Sequence, residues 1–453
     1  MQYGLIGEHL PHSFSGIIHG LIGEYEGLRR DEYTYELKEL AYEDVGAFLK
    51  AADFKGINVT IPYKETVLPY LDKVDDAAAR IGAVNTIVNR AGRLYGYNTD
   101  YFGLRDLILH IGIELAGMKV LILGTGGTSK TARCVCTSLG AASIYVVSRN
   151  PVSCDDTDDN ITYISYDEAY KLHSDAKIII NTTPVGMYPK AGASPIDISS
   201  FKELSGVIDV IYNPLRTGLI LDAKDRGIRC AGGLRMLVTQ AVYAYRLFTG
   251  QSTPGSSGSD NAPVSAKDYE HDDRISALTD RIYQKLYKEK RNIVLTGMPG
   301  CGKSTIGRYL SDKLNMDMVD TDELIVKREG RQIPDIFSSK GEEYFRDIES
   351  EIIKEVSAKN GILISTGGGA VLREENVRAL KSNGIVVFID RPFEYIIPTD
   401  DRPLSSDRDM LRLRYEERYN TYCASCDEHL INDGTVTEAV KKLLSLMEQT
   451  KTM

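Results

Sequence analysis

Asn292-Ile293-Val294-Leu295-Thr296 runs into Gly297-Met298-Pro299-Gly300-Cys301-Gly302-Lys303-Ser304, and most of the molecule can be read from this one join. An apolar strand meets a complete G-x-x-x-x-G-K-S/T loop, and a helical pattern follows. In that setting backbone N–H groups wrap phosphates, the lysine reaches the outer ones, and the neighbouring hydroxyl ligates Mg²⁺. Lys303 and Ser304 take those two roles. One βα unit later the next apolar stretch ends in Asp320-Thr321-Asp322. Carboxylates two residues apart on an extended segment share a side. One can join the magnesium shell while the other accepts the proton of an attacking hydroxyl.

Upstream, Gln251 to Ala266 (QSTPGSSGSDNAPVSA) is rich in Ser, Gly and Pro and has no apolar period. It reads as a flexible linker. Between it and the strand, Ile275, Leu278, Ile282 and Leu286 mark one apolar stripe of a short helix. The chain therefore divides at about 1–250 and 290–453. In both parts short apolar runs alternate with helical patterns, for example Val120-Leu121-Ile122-Leu123 and Ile385-Val386-Val387-Phe388-Ile389. The expected fold class is α/β, with parallel sheets covered by helices.

The first part carries its own glycine turn. Lys119 to Leu123 is followed by Gly124-Thr125-Gly126-Gly127-Thr128-Ser129 and then a helical stretch. Strand, glycine turn and helix N-terminus make a pyrophosphate cradle. The next strand ends Ser148-Arg149-Asn150, offering a guanidinium where an NAD site usually places an acid. That favours a 2′-phosphate, hence NADP(H). Several polar strings surround this turn in sequence: His12-Ser13-Phe14-Ser15, Gly56 to Lys64, Ile81 to Thr86, and Gly96-Tyr97-Asn98-Thr99-Asp100. Ketone reduction needs a proton donor beside the carbonyl oxygen, and a lysine held by a carboxylate can supply it.

Bulk properties bound the rest. The 453 residues carry a net charge of −10, which argues against a nucleic-acid or anionic-membrane surface. The start, Met1 to Gly7, lacks a basic segment before a long apolar run, so a cytoplasmic chain is expected, with no membrane span. The seven cysteines are scattered, and Cys423-Ala-Ser-Cys426 has no second pair or His cluster to complete a zinc site.

With Asn181-Thr182-Thr183-Pro184-Val185-Gly186-Met187 and Gly232 to Gln240, the strings across 1–250 resemble shikimate dehydrogenase. The resemblance implies Lys64 and Asp100 as the catalytic pair. It implies that Ser13, Ser15, Thr60, Lys64, Asn85, Asp100, Tyr212 and Gln240 hold the substrate. Gly124, Thr125, Gly126, Gly127, Thr128, Ser148, Arg149 and Asn150 would hold NADP, with Val210 and Gly233 near the nicotinamide. Gly16 and Gly20 stand where the family usually has Pro and Asn. The implied division is 1–100 plus 233–250 as substrate lobe, 101–232 as a Rossmann-type NADP lobe, and 251–290 as linker with a short helix.

About 290–435 resembles shikimate kinase through the P-loop, Gly341 to Glu349, Ser365-Thr366-Gly367-Gly368-Gly369 and Arg402-Pro403-Leu404, which implies a P-loop kinase domain over 291–453. Gly300, Cys301, Gly302, Lys303, Ser304, Thr305 and Arg402 would hold ATP, and Ser304 and Asp320 the Mg²⁺. Asp322 would be the base, with Asp322, Arg346, Gly368 and Arg418 holding shikimate. Arg391 to Asp409 is short for the family's lid. The whole would reduce 3-dehydroshikimate with NADPH and phosphorylate shikimate with ATP. The alternative is a quinate/shikimate dehydrogenase fused to a degenerate shikimate-binding module. Partners are small molecules, and a homodimer is left open.

Overall fold

The computed structural model describes residues 2–10, 13–151, 160–250, 272–396 and 408–449. The expected linker Gln251 to Ala266, His12 and the expected lid residue Arg402 lie outside them. The chain forms two compact units. The first gathers Met1–Pro184, Pro195–Tyr212 and Asp222–Lys285; the second gathers Val185–Ser194, Asn213–Leu221 and Leu286–Met453.

The first unit contains two sheets. β1 (Tyr3–Gly7), β2 (Tyr35–Glu39), β3 (Gly56–Val59), β4 (Lys73–Val74), β5 (Thr86–Arg90) and β6 (Arg93–Tyr97) lie in the order β2-β1-β3-β5-β6-β4. The apolar runs β1 and β3 are buried throughout, while β2 puts Glu36, Lys38 and Glu39 on an exposed edge that resists further pairing. This sheet is mixed, unlike the all-parallel expectation: β5 runs antiparallel to β3 and β6. Its hairpin turns on Ala91 (φ 51°) and Gly92 (φ 84°), the two left-handed residues a type I′ turn demands. Helix Leu234–Thr249 packs on the sheet, and the Phe248 ring fills the space beside Gly56 that any side chain would need.

β7 (Lys119–Leu123), β8 (Ser143–Ser148), β9 (Ile161–Ser165), β10 (Ile178–Asn181), β11 (Gly206–Asp209) and β12 (Arg229–Ala231) form the second sheet, ordered β12-β11-β10-β7-β8-β9. Every pair is parallel. Counted from β7, this is the 3-2-1-4-5-6 order of a dinucleotide-binding sheet, whose strand order reverses between β7 and β10. Ligand crevices form at that reversal, beyond the carboxyl ends of the strands.

Helix Asp273–Lys290 buries the stripe Ile275, Leu278, Ile282 and Leu286. Its first part belongs to the first unit. There Asp280 accepts from Nη1 of Arg235 at 2.5 Å, and the Arg281 guanidinium lies 3.8 Å from the Tyr25 ring centroid. Arg235 is only 3% exposed and is also held by Asp106 at 2.8 Å. Screening at half-exposed Asp280 leaves about 1 kcal/mol for its bond, and the cation–π contact adds about 0.5–1 kcal/mol. A piece of the chain ending at residue 285 is therefore expected to resist urea better than one ending at residue 250. Equal unfolding midpoints of the two pieces would show that the helix adds nothing to this unit.

The second unit carries β13 (Asn292–Thr296), β14 (Met318–Asp320), β15 (Leu363–Ser365), β16 (Gly384–Asp390) and β17 (Glu428–Ile431), all parallel, ordered β14-β15-β13-β16-β17. Side chains of β13 alternate between two cores: Ile293 and Leu295 join one, Val294 the other. Helices thus cover both faces, which explains the unbroken apolar runs of β13 and β16.

Candidate active sites

In the first unit, Lys64 follows β3 and Asp100 sits in the first turn of helix Thr99–His110. Lys64 Nζ donates to Asp100 Oδ2 at 2.5 Å, with both side chains partly open to solvent. The backbone fixes each partner. Buried Tyr63 donates its hydroxyl to the Leu40 carbonyl at 2.5 Å, and Val84 N–H binds the Lys64 carbonyl at 2.8 Å. Opposite, Asn85 Oδ1 accepts from Thr99 N–H at 2.7 Å and so holds the start of the helix that presents Asp100.

The surrounding polar residues fall into two groups. Asn85 is buried, and its Nδ2 donates to Thr99 Oγ1 at 3.1 Å. Gln240 Nε2 donates to the Leu237 carbonyl at 2.9 Å, while its Oε1 lies 3.4 Å from Thr99 Oγ1. In this arrangement both amides brace the helix start beside Asp100. Ser13, Ser15, Thr60 and Tyr212 are half-buried, with more freedom to meet a ligand. Ser13 Oγ accepts from Ser15 N–H at 3.3 Å, and the Phe14 ring meets Tyr212 edge-on at 5.4 Å. Burial raises the Tyr212 hydroxyl above the usual phenol range, keeping it a neutral donor.

Sequence reasoning missed the residues behind this wall. Tyr35 stacks on buried His19 at 3.7 Å, and its hydroxyl donates to Asn58 Oδ1 at 2.8 Å. Burial drives the His19 pKa down to about 3, so the ring is a neutral prop. The only sequence signal was an unexplained Tyr-x-Tyr, Tyr33 and Tyr35, opposite the Asn58 string.

The glycine turn lies where the second sheet reverses order. Gly124 has φ 100°, and a Cβ there would sit 2.9 Å from Thr183, just past β10. Gly126 and Gly127 face open space at the N-terminus of helix Gly127–Ser138, whose first turn has no acid. Thr125 is exposed beside them and Thr128 half-buried. Gly124 N–H binds the Val147 carbonyl at 2.9 Å, which brings the end of β8, with exposed Arg149 and Asn150, alongside the turn. Ser148 Oγ is buried without a partner among the described residues. Across the sheet, Gly233 packs against the Val210 carbonyl so closely that no side chain fits. Open N–H groups, an orphan hydroxyl and an unshielded guanidinium fit an NADP(H) phosphate cradle.

In the second unit Lys303 Nζ donates to the carbonyls of Gly297 at 2.9 Å and Met298 at 3.0 Å, inside the P-loop. Ser304 Oγ lies 3.0 Å from Asp320 Oδ2. A hydroxyl and a carboxylate oxygen at the head of a P-loop helix are a hard-oxygen donor set that fits Mg²⁺. Gly300, Gly302 and Thr305 line a second cleft with Arg391, Tyr395 and Asn432. Asn432 Nδ2 also donates to the carbonyl of buried Cys301 at 2.8 Å, fixing the loop.

Asp320 and Asp322 do not share a side by strand geometry, as their spacing suggested. The strand stops at Asp320, which caps helix Thr321–Glu329 by accepting from Asp322 N–H at 3.0 Å. Asp320 turns to Ser304, while Asp322 enters a pocket with Arg346, Glu349, Gly367, Gly368, Gly369, Arg414 and Arg418. The three glycines there make room for side chains. A Cβ on Gly367 would lie 2.5 Å from Asp322 Oδ1 and 2.9 Å from Glu349 Oε1, and one on Gly369 would strike the Arg346 guanidinium. Arg346 is braced by Glu349 at 2.7 Å and Glu342 at 3.1 Å. Burial pushes the Glu349 carboxyl up, and Arg346 pulls it back. Arg418 donates to the Gly368 carbonyl at 3.3 Å, and the Tyr422 hydroxyl binds the same oxygen.

Comparison with known proteins bears on both parts of the chain. The family model for the shikimate dehydrogenase substrate-binding domain matches residues 5–87, and that for shikimate kinase matches residues 299–448. Shikimate dehydrogenase (NADP(+)) of Clostridium beijerinckii is 39% identical over 250 residues, covering 54% of this chain and 91% of that protein. Among solved structures, shikimate dehydrogenase 1 from Peptoclostridium difficile is 35% identical with a TM-score of 0.53, covering 63% of this chain and 98% of that one. A chorismate mutase/shikimate 5-dehydrogenase fusion from Clostridium acetobutylicum is 34% identical with a TM-score of 0.54, covering 63% and 96%. The chain belongs to the shikimate dehydrogenase family and, over residues 299–448, carries a shikimate kinase domain.

Proposed function

We propose that the chain catalyses two successive steps: reduction of 3-dehydroshikimate to shikimate with NADPH, then phosphorylation of shikimate at its 3-hydroxyl with ATP. The observation that carries this reading is the Lys64–Asp100 contact of 2.5 Å, a poised acid–base pair, on the same chain as a P-loop facing an arginine-lined pocket. When bound, NADPH supplies the hydride. Lys64 protonates the carbonyl oxygen, and Asp100 holds the ammonium in place and stabilises its charge. Ser13, Ser15, Thr60 and Tyr212 orient the ring hydroxyls and carboxylate.

In the kinase pocket Asp322 accepts the proton of the attacking hydroxyl, and Arg346 and Arg418 hold the carboxylate. Lys303 and the helix N-terminus neutralise the phosphates, and Ser304 and Asp320 would hold Mg²⁺, which spreads the charge of the transferred group. Presence of Lys303, Ser304, Asp320 and Asp322 together disfavours a degenerate binding module. The test is two independent assays on one preparation: NADPH oxidation with 3-dehydroshikimate without ATP, and ADP release with shikimate without NADPH. Absence of either activity overturns that half of the reading.

Arg149 sets cofactor choice in this account. Arg149→Asp is expected to lower kcat/KM for NADPH roughly tenfold or more and to spare NADH, because a like charge replaces the phosphate partner. An unchanged NADPH/NADH ratio would remove Arg149 from the cofactor site.

A further inference from the structure

The kinase pocket holds one guanidinium that the two-step reading leaves without a task. Arg414 lines the pocket, half-buried, and its Nη1 is buried with no hydrogen-bond partner among the described residues. Its neighbours are otherwise engaged. Arg346 gives Nη1 to Glu349 at 2.7 Å and Nη2 to Glu342 at 3.1 Å, and Arg418 gives Nη1 to the Gly368 carbonyl at 3.3 Å. Arg414 and Arg418 are four apart on helix Arg408–Ser425, so their side chains project from one face. Like charges at that spacing repel; Glu342 and Glu417 offset part of this at Arg414, and an anion held before both guanidinium groups would relieve the rest.

The charges lining the pocket make the same point. Asp322 and Glu349 oppose Arg346, Arg414 and Arg418, two acids against three bases, a net of +1 in a chain of net charge −10. Glu349 and Glu342 answer Arg346 first, with Glu349 also felt by Arg418, so Arg414 and Arg418 are the less neutralised cations of the lining. A buried donor left unmade is costly, which makes an orphan Nη1 on a pocket-lining side chain a recognition group in waiting.

We infer that Arg414 is a specificity-determining residue of the kinase, joining Arg418 in holding the carboxylate of the phosphoryl acceptor. The inference rests on the shikimate-pocket reading. It adds that acid-over-neutral selectivity comes from the paired arginines of one helix face and not from Arg346 and Arg418 alone.

The test uses the full-length chain and two acceptors, shikimate and its neutral carboxamide. Arg414→Leu is expected to lower kcat/KM for shikimate roughly tenfold or more, the worth of one charge-assisted hydrogen bond, and to compress the acid-over-amide preference by the same factor. The KM for ATP should hold within about twofold, and Arg414→Lys should recover part of the preference, since it keeps the charge without the fork. Arg418→Leu is the reference. A compressed preference in Arg418→Leu with an unchanged one in Arg414→Leu overturns this inference and leaves the pocket assignment standing. An unchanged preference in both overturns the pocket assignment as well. Should Arg414→Leu prevent folding, judged by circular dichroism and lost ATP binding, Arg414→Gln is measured in its place and must show the same compression.

Discussion

Lys64→Ala is expected to slow reduction of 3-dehydroshikimate by roughly 10²–10⁴-fold, the usual worth of a positioned acid–base group. Kinase turnover of the same chain should stay within about twofold, because Lys64 belongs to the first compact unit and the P-loop to the second. The loss should fall on kcat more than on KM. The ammonium acts where charge develops on the carbonyl oxygen, whereas the ring hydroxyls are held by other groups. Structural collapse is a poor rival explanation: the Lys64 side chain is partly exposed, and its loop is held by backbone contacts and by buried Tyr63. Ketone reduction within a few-fold of the parent would remove Lys64 from the chemistry, and with it the meaning of its contact with Asp100.

Asp322→Asn should be the corresponding lesion in the kinase, lowering phosphorylation of shikimate by roughly 10²-fold or more. The amide keeps the size of the side chain, and the backbone N–H that Asp320 accepts from is untouched, so the helix cap survives. What is lost is the oxygen that takes the hydroxyl proton. ATP affinity should change little, because the P-loop, Ser304 and Asp320 remain in place. A variant that phosphorylates shikimate at near-parental kcat would assign the base elsewhere. One that loses ATP binding instead would place Asp322 at the metal and not at the acceptor.

Residues around both phosphate cradles were legible before any coordinates, for a physical reason. A loop that approaches phosphate with its backbone must use glycine, and it must sit between a buried strand and a helix start. Gly124 to Gly127 and Gly297 to Ser304 therefore carry composition, spacing and context in one short run. The Lys64–Asp100 contact was legible only through the resemblance, since its partners stand on separate elements and meet by tertiary packing. Three features escaped. The antiparallel hairpin of β5 and β6 turns on Ala91-Gly92, a pair without the Asn or Asp that usually marks such a turn. Asp320 and Asp322 read as one strand's face, although Asp320 with Glu323 three residues on, before Leu324-Ile325-Val326, marks a helix start at Thr321. The room beside Gly367 and Gly369 is filled by Asp322, Glu349 and Arg346 from other segments, which no spacing in the sequence announces. Arg414 has no motif at all; the pocket sets it, with Arg418, apart from Arg408 and Arg412 of the same helix.

The central claim is that one chain performs both steps in sequence. Purified full-length protein is given 3-dehydroshikimate, NADPH, ATP and Mg²⁺, and NADPH loss, ADP release and shikimate 3-phosphate are followed together. The account predicts one NADPH oxidised and one ADP released for each shikimate 3-phosphate formed once shikimate reaches steady state. Lys64→Ala should stop both signals from 3-dehydroshikimate, yet leave ADP release from added shikimate intact. Oxidation of NADPH that leaves shikimate to accumulate unphosphorylated, or ADP release that does not depend on shikimate, would contradict it.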